Sequence, residues 1–91
     1  MIRAVMLVKS GGSVPRAVGL ATELKRMAHV SDAYAVFGRF DVVAFFQGDD
    51  VKQVFHAVSE ATKLAGIMST ETLLEGQRNI APDNYGTGPF A

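Results

Sequence analysis

Cysteine is absent from this 91-residue chain, which excludes a disulfide framework, a thiolate metal site and a thiol nucleophile. Net charge is absent too. Nine basic and nine acidic residues cancel, so no overall field draws the protein to nucleic acid or to an anionic membrane. No stretch approaches the ~20 apolar residues of a membrane span. The first residues open a strand pattern at once, without a basic segment ahead of a long apolar run, so no signal peptide is expected. A cytoplasmic protein with no membrane contact and no direct nucleic-acid binding is the expectation.

Catalytic and metal-binding sets are missing as well. His29 and His56 stand far apart with no ligand-spaced partner, and no nucleophile–base–acid set is evident. Ser10-Gly11-Gly12-Ser13 precedes a helix pattern and suits an anion, but it lacks a phosphate-loop lysine. The four methionines fit core filling better than a cofactor site. No enzymatic activity, metal or cofactor is expected.

What the chain does have is the composition of one small folded domain, 48% hydrophobic and 20% charged. Ile2 to Lys9 is rich in Val, Ile, Leu and Met and reads as a strand. Ser13 suits an N-cap and Pro15 a first helical turn. Val14, Ala17, Val18, Ala21, Leu24 and Ala28 then recur at helical spacing, predicting a helix to about Met27. Val30 to Phe37 and Phe40 to Gln47 are the next two strands, joined by a Gly38-Arg39 hairpin in which glycine supplies a positive φ. Asp50 and Gln53 have capping-box spacing. Val51, Val54, Phe55, Val58, Ala61 and Ala65 predict the buried stripe of a second helix, with Gly66 as its C-cap. Ile67 to Leu74 is the fourth strand. Residues 76–91 are rich in Gly, Pro and Asn and show no period; Ile80, Tyr85 and Phe90 are their candidate anchors.

This β-α-β-β-α-β order predicts an α+β, ferredoxin-like sandwich: a four-stranded antiparallel sheet with two helices on one face. The central strands are nevertheless apolar on both sides. Ile2, Ala4, Met6 and Val8 share one face of strand one, and Val5 and Leu7 lie on the other. Phe40, Val42, Ala44 and Phe46 alternate in the same way with Val43 and Phe45. Strands apolar on both faces are buried on both faces, and two helices cover only one. A second sheet is the natural cover, so Val5, Leu7, Val43 and Phe45 are the expected interface of a face-to-face homodimer.

Two local pieces resemble a known family. Gly38-Arg39-Phe40-Asp41 is similar to the Gly-x-Tyr/Phe-Asp hairpin of the effector-binding RAM domain in Lrp/AsnC transcription regulators. Ser69-Thr70-Glu71-Thr72 resembles that domain's last strand, and the resemblance covers residues 1 to about 75. It implies a dimeric αβ-barrel type of assembly, with dimers that associate further to octamers or decamers. It also implies an amino-acid effector bound between dimers, near the hairpin. By matching position Gly38, Arg39, Phe40 and Asp41 are the first candidates for that contact, and Thr70 and Thr72 add hydroxyls from the last strand. Backbone amides or Arg39 suit an α-carboxylate, and Asp41 suits an α-ammonium. Full-length members carry an N-terminal helix-turn-helix for which 91 residues leave no room, so a stand-alone domain that modulates a full-length regulator by mixing subunits is the expectation.

Structural readings of the same residues stay open: Gly38 as a turn former, Asp41 as a backbone acceptor, the threonines as strand formers. Three rival functions share the fold. An RNA-recognition domain disagrees with the neutral charge and the apolar sheet face. A small dimeric αβ-barrel enzyme, such as a cofactor-free oxygenase, needs a buried polar pocket between helices and sheet. An ACT-like amino-acid sensor differs mainly in how its sheets associate.

Overall fold

A computed structural model describes residues 1–75; the anchoring expected of Ile80, Tyr85 and Phe90 lies outside the described residues. The chain runs β1 (Ile2–Ser10), α1 (Val14–Lys25), β2 (Val30–Ala35), β3 (Val42–Gly48), α2 (Val51–Ala61) and β4 (Ile67–Leu74). The strands form one sheet in the order β2-β3-β1-β4, and every neighbouring pair is antiparallel. This is the expected ferredoxin-like sandwich.

Both helices lie on one face. Ala4, Met6 and Val8 of β1 and Val42, Ala44 and Phe46 of β3 form a single cluster with Leu20 and Leu24 of α1 and Val54 and Val58 of α2. Met6, Val8, Leu24, Val42 and Val54 are fully buried. Burial of this kind contributes roughly 25 cal/mol per Å² of apolar surface, and it holds the helices to the sheet.

Helix boundaries and faces depart from the sequence expectation in instructive ways. On α1 the buried residues are Ala17, Leu20, Ala21 and Leu24, while Val14 and Val18 stay about half exposed and Ala28 lies exposed beyond the helix. On α2 they are Val54, Ala57, Val58 and Ala61, while Val51 and Phe55 stay exposed. Ala65 is exposed after the helix has ended. In each helix two spacings of i, i+3, i+4, i+7 overlap, and the one facing the sheet is Ala17, Leu20, Ala21 and Leu24 on α1 and Val54, Ala57, Val58 and Ala61 on α2. α1 closes with short bonds from the Arg26 and Met27 amides to Glu23 and Leu24, a tightened last turn. Gly66, at φ +95°, serves the turn into β4 rather than a helix cap.

Capping differs between the helices. Asp50 caps α2 with its carboxylate, which accepts from the Gln53 amide at 2.8 Å. Gln53 reaches back to the Asp49 amide at 2.7 Å, one residue earlier than a strict capping box. Ser13 occupies the N-cap of α1 without a side-chain cap bond. Asp50→Ala is expected to lower stability by about 1 kcal/mol, read as a lower urea midpoint at unchanged m-value, whereas Ser13→Ala should change it by much less.

Candidate functional site

The β2–β3 connection spans six residues, 36–41, rather than a two-residue hairpin. Asp41 stands at its end. Its amide donates to the Val8 carbonyl at 2.8 Å and its own carbonyl accepts from Val36 at 2.9 Å. Its carboxylate Oδ2 accepts from the Ser10 amide at 2.8 Å, with the Ser10 hydroxyl at a longer 3.5 Å. The Val36 bond carries the β2–β3 pairing one step further, and the bonds to Val8 and Ser10 tie the base of the loop to the end of β1. Ser10 is buried, so this pair satisfies a main-chain donor that water does not reach freely.

The tie brings two distant sequence motifs together. β1 ends at Ser10 and leads through Gly11-Gly12-Ser13 into α1. The loop carrying Gly38 and Asp41 therefore faces the start of α1 across a cavity of about 190 Å³ lined by Gly12, Ser13, Val14, Phe37, Gly38 and Asp41, among others. Gly38 sits at φ +135° with open space where a side chain would project, so only glycine takes this backbone without strain. Phe37 is 84% exposed. The Arg39 guanidinium lies over the Phe40 ring at 6.0 Å from its centroid, at the outer limit of a cation–π contact. The Oδ1 of Asp41 takes no hydrogen bond from any described residue.

Of the six candidate effector residues, Gly38 and Asp41 line this cavity, and Arg39 and Phe40 stand between them in the chain without lining it. Thr70 and Thr72 lie elsewhere. They pair with Val8 and Met6, half-buried on the helix-covered side of β4, and do not line this cavity. Ser13 and Phe37 were not among the candidates. The signal for Ser13 was its place before a helix, but nothing in sequence order links it to Asp41.

The opposite face of the sheet carries the other candidate set. Cross-strand partners Val5↔Phe45 and Leu7↔Val43 place all four expected interface residues on the side without helices. Val43 is buried and the other three are half-buried. Tyr34 and Leu73 extend the patch at 47% and 50% exposure, with the Tyr34 ring 5.9 Å from that of Phe45. A wider hollow of about 600 Å³ opens at one end, beside Arg3, Asp32 and Gln47.

No protein-family model and no curated protein matches the chain. Solved structures do. TTHA0845 from Thermus thermophilus is 29% identical over 89% of this chain and 100% of its own, with a TM-score of 0.77. Escherichia coli AsnC is 18% identical over 88% of this chain, with a TM-score of 0.71. The fold is that of the RAM-like domain of Lrp/AsnC regulators. The chain spans 54% of AsnC, about half its length. The RAM-like fold also occurs in the E. coli Tat proofreading chaperone protein NapD, 11% identical over 87% of this chain and 81% of its own, with a TM-score of 0.66. Shape alone therefore leaves function to the site.

Asp41→Ala removes the acceptor of a buried main-chain donor and is expected to cost about 1–3 kcal/mol. Asp41→Asn retains a carbonyl acceptor and should lose less. Chemical denaturation of both variants checks the order.

Proposed function

We propose that this RAM-like domain senses a small zwitterion, in the first instance an amino acid, as an oligomer built on sheet-to-sheet dimers. The observation that carries the reading is the meeting of the Gly38–Asp41 loop with the first turn of α1 around one cavity. Helix-start amides and Arg39 would take the α-carboxylate. The free Oδ1 of Asp41 would take the α-ammonium while Oδ2 holds the loop in place.

The dimer would bury Val5, Leu7, Val43 and Phe45 against their copies. Removing such a patch from water would supply roughly several kcal/mol at ~25 cal/mol per Å². Octamers or decamers would then form from dimers, completing the loop cavity with a neighbouring subunit. The same sheet face would let the domain mix with longer regulators of this fold and so modulate them.

A binding role fits the interior better than an enzymatic one. Among the described residues, Ser10 is the one buried polar side chain, and it is engaged with Asp41. Acid–base chemistry between helices and sheet would have no group there to work with.

A thermal-shift screen against the twenty amino acids, with light-scattering mass measured alongside, tests the sensor. A selective rise in melting temperature is expected, since a ligand that binds only the folded state stabilises it. The rise should vanish in Arg39→Ala and in Asp41→Asn. A flat response to every amino acid would sink the sensing role. Phe45→Glu should reduce the mass to that of a single chain; an unchanged mass would show that association does not use this face.

A further inference from the structure

We propose a second small-molecule site, for a zwitterion, in the cleft between α1 and the turn that leads from α2 into β4. It is distinct from the loop cavity. The cleft has a volume of about 290 Å³ and is lined by Ser10, Arg16, Gly19, Leu20, Glu23 and Gly66, with Ala65 beside them. Ser13, Val14 and Ala17 border the loop cavity instead, so α1 stands between the two.

Arg16 and Glu23 are the two charges of the cleft. They are seven residues apart, two turns of one helix, so both project to the same side with Cα atoms roughly 10 Å apart. Neither makes an ion pair or a side-chain hydrogen bond with any described residue. A helix that leaves an unpaired cation and an unpaired anion at opposite ends of one hollow presents complementary charge to a molecule carrying both signs.

Two glycines shape the site. Gly12 adopts φ +114°, and a Cβ there would fall 2.7 Å from Cδ of Arg16. The arginine stem lies where a side chain at residue 12 would be, which fixes its course beside the cleft. Gly19 is mid-helix, a position where glycine is about 1 kcal/mol less favourable than alanine. A Cβ there would meet nothing within 4 Å, so close packing within the protomer gives no reason for it. Its bare backbone leaves the middle of the cleft open, over the buried Leu20.

The ligand class follows from these groups. The planar guanidinium of Arg16 accepts a carboxylate in a two-bond fork, Glu23 receives an ammonium, and Leu20 supplies an apolar floor for a short aliphatic portion. A free amino acid has all three parts. Because Arg16 and Glu23 are exposed, their contribution is screened by salt, and the site binds weakly and in a salt-dependent way.

Amide NMR titration of the full chain tests the site, with each amino acid, and with potassium phosphate and ammonium chloride as single-charge probes. At least one amino acid is expected to shift the amides of Gly19, Glu23 and Gly66 saturably, with weaker binding at higher salt. Arg16→Met should weaken that binding at least tenfold. Gly19→Leu should abolish it while raising the melting temperature, since leucine is the better helix former. Arg39→Ala should leave it intact, which keeps this site separable from the loop cavity: either can fail while the other stands. No saturable response at these amides, an equal response to phosphate alone, or unaltered binding in Gly19→Leu would overturn the proposal.

Discussion

The arrangement depends on one imbalance: the central strands are apolar on both faces, and the helices cover only one of them. β1 and β3 give the helix side Ala4, Met6, Val8, Val42, Ala44 and Phe46. They give the other side Val5, Leu7, Val43 and Phe45. The first set explains why the helices dock as they do. The second set leaves a hydrophobic surface that no described helix covers, and sheet order sets its extent. Because β1 and β3 are the inner strands, the patch lies at the centre of the face, with Tyr34 and Leu73 on the edge strands around it.

A second constraint acts at one end of the sheet. Asp41 is the point where β3, the β2–β3 loop and the end of β1 are held together. From that junction the chain leads directly into the glycine turn and α1, so the position of the loop and that of the helix start are coupled by a few short bonds. A small cavity results whose walls come from segments far apart in sequence. The similarity to AsnC and to NapD shows one fold under two different descriptions.

Much of the fold was legible in the sequence because it rests on periodicity. Alternation of apolar residues in β1 and β3 revealed strands with two buried faces, and the element order then selected the sandwich. The helix stripes were less legible. Val14 and Val18 on α1, like Val51 and Phe55 on α2, satisfy helical spacing as well as the residues that are buried. Only the docking of each helix on the sheet decides between them. The loop was shorter in expectation than in fact because Gly38-Arg39 carries a turn signal, while the bonds that hold its end join residue 41 to Val8 and Ser10, far away in sequence. At the candidate site, Gly38 and Asp41 were legible from their local pattern. Their meeting with Ser13 was not, since contacts of that range have no local signature. Thr70 and Thr72 stand opposite Val8 and Met6 in the register and do not line the loop cavity.

The short bond between residues 10 and 41 has an unequal dependence on its two ends. On one side the donor is a main-chain N–H, which every residue except proline possesses; on the other the acceptor is a side chain. Most replacements of Ser10 would keep the 2.8 Å bond and forfeit only the longer hydroxyl contact. Replacements of Asp41 must supply an oxygen at the same reach. The side-chain half of the tie therefore resides at residue 41, whereas residue 10 need only fit its buried place and not be proline.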